Sequence, residues 1–245
     1  MHESELWITG LFNDYLSAPA NAILKMVGMK PEPRPWADFI VMEIVVVLLL
    51  MLVVTILRPR LSVDKPGGLQ HIFEMFYDFV KGQAENQVGH TAHRYLPFFG
   101  TLFLFILTSN LIGLIPCFET PTMNPSVTCG CALVTFVYYN MQGVIAQGPL
   151  RYLAHFAGPM WALAPLMFPI EIISHTARLL SLTVRLYANM FAGEQVTLVF
   201  LNLTKFLVPV AFMGLHIFVG VIQAYIFMLL SMVYVGQAVA HAHDH

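Results

Sequence analysis

Glu171, His175, Arg178, Arg185 and Glu194 stand in one stretch of chain otherwise dominated by Leu, Ile, Val, Phe, Ala and Met. Carboxylates and imidazoles exchange protons, and a guanidinium holds a charge that it does not give up in proteins. At membrane depth an ionisable side chain costs about 2.5–3.5 kcal/mol on insertion scales, so such groups face protein or water and mark ion paths. On a helix, at about 100° per residue, Glu171 falls near about +40° from Arg185, Ser174 near about −20°, Arg178 near about +20°, Ser181 near about −40° and Asn189 near about +40°. One narrow polar stripe results, and a lipid-facing helix would not gather its polar groups that way. Glu194 lies about 180° from Arg185, so it belongs to a second polar environment on the far side of the same helix.

A later segment adds His216 and Gln223, seven positions apart and so nearly aligned, with Gln237 continuing that line. If His216 and Glu194 both lie toward the outer end of their helices, the two are within reach of each other as a titratable pair. Asn110, on an earlier apolar span, has the composition of interhelical hydrogen-bonding glue.

Composition supplies the reason to think of a bilayer. Of 245 residues, 58% are hydrophobic and 11% charged, with mean hydropathy +0.71. Soluble domains carry roughly 25% charged residues, so an integral membrane protein is expected. The formal net charge of −2 decides little. The opening MHESELW lacks the basic start and apolar core of a cleavable signal. Cys117, Cys129 and Cys131 are too few and too clustered for a disulfide framework, and a Cys-x-Cys pair is a weak metal signal. No metal or cofactor is expected, and the His-rich ending AHAHDH reads as a solvated tail.

The elements that must position the stripe can be read from periodicity. Residues 1–37 form an extracytoplasmic segment, with Pro31, Pro33 and Pro35 marking a non-helical approach. Residues 38–245 form a single membrane domain. Its first span, 38–57, is followed at once by Arg58, Arg60 and Lys65, which argues for a cytoplasmic loop and an external N-terminus. Residues 69–88 are amphipathic and should lie on the interface. Spans follow at 96–116 and 127–146. Pro149, Gly158, Pro159, Pro165 and Pro169 make 149–169 a re-entrant or interfacial hairpin. The segment 170–203 would run roughly 50 Å as a helix, beyond the hydrocarbon thickness, so it must tilt, bend or protrude. The last span, 209–239, has no Asp, Glu, Lys or Arg. The expected fold is an all-α polytopic membrane protein with about five transmembrane helices and a cytoplasmic C-terminus.

The stretch SLTVRLYANMFAGE, followed by IQAYIFMLLSMVYV and preceded by LFLFILTSNLIGLIP and NPSVT, closely resembles the subunit a family of F-type ATP synthases. The likeness covers the chain from about residue 38. It implies a membrane stator beside a rotating ring of c subunits, with two offset proton half-channels, one to each face, and with the long tilted helix facing the ring. It implies that Arg185 is the essential stator arginine, that Asn189 and Gln223 flank it, and that Glu194 and His216 belong to the outer half-channel. Glu171, Ser174 and Arg178 would line the cytoplasmic side. Where the family often has Lys, this chain has Arg178, and Ala188 precedes Asn189 where Gly is usual. The implied partners are the c-ring, the b-subunit peripheral stalk, the ATPase head through the complex, and lipid, in a bacterial plasma membrane, without nucleic acid. The chain itself would be non-catalytic, since no Walker-type Gly-rich loop is present. An autonomous ion-coupled secondary transporter is the alternative, weakened by the lack of an internal repeat. An intramembrane enzyme lacks any HExxH or GxSxG constellation.

Overall fold

The computed structural model describes residues 6–26, 28, 30–62, 67–115, 118–149, 164–203 and 207–240. The chain is helical throughout, with no strand among the described residues. Among the described residues seven helices carry the fold: α1 (Trp7–Met26), α2 (Asp38–Leu57), α3 (Gly68–Val88), α4 (Leu96–Ile112), α5 (Pro125–Gln147), α6 (Ala164–Leu203) and α7 (Leu207–Ala240). Short 3₁₀ turns at Arg58–Arg60, Gly89–Arg94 and Pro121–Met123 join them.

Among the described residues three segments are long and apolar enough to cross a membrane: Asp38–Leu57, Pro125–Gln147 and Val210–Val239. Helix α4 is apolar but shorter, 17 residues, or about 26 Å. Helix α6 has ample length, 40 residues, or about 60 Å; it is the polar stripe that makes it less apolar than its neighbours. Both faces of α2 are nearly uniformly hydrophobic, yet only Val41, Met42 and Val46 are buried, while Leu48, Met51 and Leu52 are exposed. That pattern is what a helix bathed in hydrocarbon requires. These elements make an all-α membrane protein.

Helix α7 is the hub, packing against α3, α4, α5 and α6. Its buried face carries Gln223, Ala224, Phe227, Met228, Ser231, Met232 and Val235, against Phe99 and Ile106 of α4, Tyr139 of α5, and Leu182, Leu186 and Met190 of α6. Close approach is bought by small residues. A Cβ at Gly236 would stand 2.5 Å from the Gln87 carbonyl oxygen, so α3 can lie against α7 only over a bare backbone. Polar side chains lock the helices at chosen heights. Asn110 donates to the Gly220 carbonyl at 3.1 Å and accepts from Thr122 at 2.8 Å, while Gln147 donates to the Ala238 carbonyl at 2.8 Å. The first two bonds fix one rim of the bundle and the third fixes the opposite rim. Arg58 and Arg94 stand at the helix ends that share the Gln147 rim.

Two expectations need correction. Residues 164–169 are not one arm of a hairpin but the first turns of α6, with Pro169 accommodated inside the helix; the remainder of the expected hairpin, 150–163, lies outside the described residues. Pro165 stands in the first turn, where the N–H groups have no intrahelical partner anyway, whereas Pro169 lies a turn further in and forgoes one bond, to the Pro165 carbonyl. The N-terminal segment also contains more order than its prolines implied. Helix α1 is interrupted at Leu16 (φ −118°) and contains Pro19. The extended, proline-rich stretch folds back along it on two asparagines: Asn13 exchanges bonds with the Trp36 backbone at 3.0 and 3.2 Å, and Asn21 with the Glu32 backbone at 3.0 Å each way. The Trp36 indole then donates to the Leu16 carbonyl at the kink, 2.8 Å away.

Candidate functional site

The stripe on α6 runs along the seam between its packed and open faces. Leu182, Leu186 and Met190 bury one side; Leu180, Val184 and Phe191 remain exposed on the other. Between them lie Glu171, Ser174, Arg178 and Arg185, all half-buried, with Ser181 and Asn189 more exposed. The predicted alignment therefore holds, and the described residues leave a flank of α6 beside the stripe uncovered.

Arg185 has a hydroxyl for a neighbour: its Nη2 lies 3.4 Å from Ser181 Oγ, one turn earlier. No carboxylate is within ion-pair distance of it among the described residues. A half-buried guanidinium without a counter-charge is costly, and the helix positions it where its tip meets the uncovered flank. Asn189 donates to Gln223 Oε1 at 2.7 Å, tying α6 to α7 one turn beyond Arg185. Gln223 is 1% exposed and its Nε2 has no hydrogen-bond partner among the described residues.

A first polar cluster lies toward the Gln147 rim. His175 Nε2 is 3.2 Å from Glu171 Oε1, and His175 Nδ1 is 2.7 Å from the Tyr139 hydroxyl. Arg178 does not snorkel away from the bundle; its guanidinium sits 5.4 Å from the centroid of the Tyr234 ring, a cation–π arrangement. Tyr234 in turn packs against Tyr139, with centroids 5.8 Å apart. Sequence reasoning placed Glu171, Ser174 and Arg178 here but missed Tyr139 and Tyr234, and gave His175 no role. His175 lies about 80° from Arg185 and about 40° beyond the Glu171 edge of the stripe, on the packed side of α6. A polar residue at that angle was the available signal; its partner on α5 had none.

A second cluster lies toward the Asn110 rim. His216 is buried on α7 and sits directly over Gly193, the residue before Glu194. Glu194 and His216 thus share one neighbourhood, although no direct bond joins them among the described residues. Glu119, from the loop before α5, lies close enough to Glu194 for the two carboxyls to interact electrostatically. Glu119 also lines a polar cavity of about 530 Å³, together with Thr9, Arg34, Trp36, Asp38 and Asn124. The amide–hydroxyl pair of Asn110 and Thr122 is buried beside the same loop.

The cysteines take no part in either cluster. Cys129 is exposed and Cys131 buried, both as free thiols; Cys117 and the tail 241–245 lie outside the described residues. Among the described residues no group of three His, Cys, Asp or Glu is arranged to hold a metal ion.

Along α6 the first cluster begins about 21 Å before Arg185, and Glu194 stands about 14 Å beyond it. Between them the packed interior is apolar, filled by Leu182, Leu186, Met228 and Met232. Fold and site together define a polytopic helical membrane protein with two separated titratable clusters and, between them, a cation that has no carboxylate partner among the described residues. The protein-family model described as ATP synthase A chain matches residues 39–236, and the chain belongs to that family. It is similar to ATP synthase subunit a of Solibacter usitatus (strain Ellin6076), 62% identical over 95% of this chain and all of the relative. It is also similar to subunit a of Koribacter versatilis (strain Ellin345), 51% identical over 98% of this chain and 99% of the relative. Subunit a of Geobacter sulfurreducens (strain ATCC 51573 / DSM 12127 / PCA) is 41% identical over 80% of this chain and 86% of the relative.

Proposed function

We propose that this chain, as the stator subunit a of an ATP synthase membrane sector, carries protons between its two clusters by way of carboxylates on an adjoining ring, with Arg185 as the charge that separates the two routes. The chain is a multi-pass membrane protein of bacterial type. The basic residues Arg58, Arg60 and Lys65 after the first span favour an external N-terminus and a cytoplasmic C-terminus. The cluster of Glu171, Ser174 and Arg178 then belongs to the cytoplasmic access route, and Glu194 and His216 belong to the outer one.

The observation that carries this reading is Arg185: half-buried, provided with one hydroxyl and, among the described residues, no carboxylate, at the edge of a helix face that they leave uncovered. Its counter-charge must come from a partner. A ring carboxylate reaching that face meets a fixed positive charge, which favours its ionised form and promotes proton release. Arg185 cannot itself lose a proton, so it blocks direct transfer from one cluster to the other. Asn189 and Gln223, joined at 2.7 Å, hold α6 and α7 together next to the cation. The partners on this reading are the c-ring on the open flank of α6, the b-subunit peripheral stalk, the ATPase head through the assembled complex, and lipid.

The test is ATP-driven acidification of inverted membrane vesicles carrying the complex, for wild type, Arg185→Ala and Arg185→Lys, with assembly followed by blot and passive proton permeability measured in parallel. Both variants are expected to assemble and to lose pumping. Near-normal pumping by Arg185→Ala would sink the mechanism.

A further inference from the structure

We infer that His175, braced by Tyr139, is the proton-holding partner of Glu171 and keeps the cytoplasmic access route supplied when protons are scarce; this rests on the proton path proposed above. Three observations carry it. Both nitrogens of one imidazole are engaged, Nε2 with the Glu171 carboxyl at 3.2 Å and Nδ1 with the Tyr139 hydroxyl at 2.7 Å. The His175 side chain is 12% exposed and Glu171 36%, so the carboxyl reaches toward the stripe and solvent while the imidazole stands behind it. Tyr139, at 2% exposure, is fully enclosed by the bundle, so its hydroxyl is a fixed post rather than a mobile one.

The chemistry follows from the hydrogen-bond inventory of the three groups. A neutral imidazole with its proton on Nε2 donates to the Glu171 carboxylate and accepts from the Tyr139 hydroxyl. On taking up one proton at Nδ1 it becomes a double donor, and the Tyr139 hydroxyl rotates to accept instead, since a phenol does either. Both imidazole nitrogens remain hydrogen-bonded in either state. The charge of the pair changes from negative to neutral, with the new cation directly beside a carboxylate, so the imidazolium is not left as an uncompensated charge. The balance is one proton in and one out: the proton taken up at Nδ1 stays on the ring, the one on Nε2 passes to Glu171 and onward, and the neutral imidazole left with its proton on Nδ1 takes the next proton from the Glu171 carboxyl at Nε2.

The surroundings of His175 permit this. From α5 it meets Tyr139 and the edge of Phe136, the latter with ring centroids 6.3 Å apart. On its own helix it meets Glu171, with Arg178 one turn on. From α7, Tyr234 packs on Tyr139 and takes the Arg178 guanidinium over its ring at 5.4 Å. Arg178, the cation that would most oppose an imidazolium, is thereby engaged on an aromatic face instead of on Glu171. The carboxylate is left to His175.

The experiment uses the whole complex in inverted vesicles, where the bath faces the cytoplasmic side and ATP-driven pumping must draw its protons from it. Initial pumping rates of His175→Gln and Tyr139→Phe are each divided by wild type at the same bath pH, so that the pH response of the ATPase head cancels. Gln keeps a hydrogen-bonding side chain but cannot titrate in this range. With assembly verified by blot, the His175→Gln ratio is expected near one at about pH 6 and at least about threefold lower at about pH 8, on either side of an ordinary histidine pKa. Tyr139→Phe should show a smaller loss confined to the same alkaline limb. A ratio for His175→Gln that is flat across pH, whether normal or uniformly reduced, overturns the inference, because a packing role has no reason to follow bath pH. If His175→Gln fails to assemble, Tyr139→Phe decides alone, and a flat ratio there overturns it equally. Arg185→Ala in the same vesicles separates the two readings: inactive Arg185→Ala with a flat His175→Gln ratio removes only the relay, and active Arg185→Ala removes the path on which it depends.

Discussion

Gly193 and His216 stand in direct apposition: a Cβ added at residue 193 would lie 2.7 Å from His216 Nδ1 and 3.3 Å from Cε1. The imidazole is held over a backbone notch on α6, and the carboxyl of Glu194 follows on the next residue. A helix ordinarily gains about 1 kcal/mol when Gly becomes Ala, so the glycine is there for space. Gly193→Ala should displace the ring from its place beside Glu194. The expected outcome is an assembled complex whose ATP-driven pumping falls several-fold, as a misplaced proton-transfer group loses rate steeply with distance. Gly214→Ala is the matched control, since nothing lies within 4 Å of its added Cβ; it should pump normally. Equal activity in both variants would show that His216 need not occupy this notch.

The pairing of Asn13 with Trp36 predicts where the N-terminal segment can be loosened. One amide both accepts from and donates to the Trp36 backbone, at 3.0 and 3.2 Å. Each such bond contributes about 0.5–1.5 kcal/mol, and Asn13→Ala removes two at once. Chymotryptic nicking after Trp36 in the intact complex should become several-fold faster in Asn13→Ala, while Asn21→Ala, whose bonds to Glu32 are exposed, should give a smaller increase. Rates unchanged from wild type would mean that the indole contact at Leu16 suffices.

What the sequence made legible was whatever depends on a residue and its own helix. The apolar run 38–57 coincides with α2, the amphipathic run 69–88 with α3, and the stripe from Glu171 to Asn189 shares one seam of α6, because periods of 2 and 3.6 are written in local order. The hidden parts are long-range. Helix α1 escaped notice because Pro19 and the later prolines look like breakers, whereas its order comes from asparagines bonding residues far along the chain. Tyr139 is one aromatic among many in an apolar span, and only the packing of α5 on α6 brings its hydroxyl to His175. The start of α6 was misplaced for a similar reason. Pro165 and Pro169 read as a hairpin, yet a missing N–H costs nothing in the first turn, at Pro165, and only one helix bond at Pro169.

The bond between Asn189 and Gln223 offers a test by double-mutant cycle. It joins α6 and α7 at 2.7 Å between a partly exposed amide and one that is 1% exposed, and the buried Gln223 Nε2 makes no bond among the described residues. Gln223→Leu removes that unsatisfied group along with the bond, so its net cost to stability should be small. Asn189→Ala instead strands the Gln223 oxygen as well as its nitrogen, and unsatisfied buried groups cost about 1–3 kcal/mol each. The single variant Asn189→Ala should therefore lower the thermal midpoint of the detergent-solubilised complex more than Gln223→Leu does. The double variant should be no worse than Asn189→Ala alone, giving a coupling of roughly 0.6–1.7 kcal/mol, the range for interhelical bonds in membranes. Pumping should respond differently from stability: if the pair also holds the helices beside Arg185, all three variants lose rate, including the stable Gln223→Leu. Strict additivity of the thermal shifts would show that the two amides do not act as a unit, and full pumping by Gln223→Leu would confine the pair to packing.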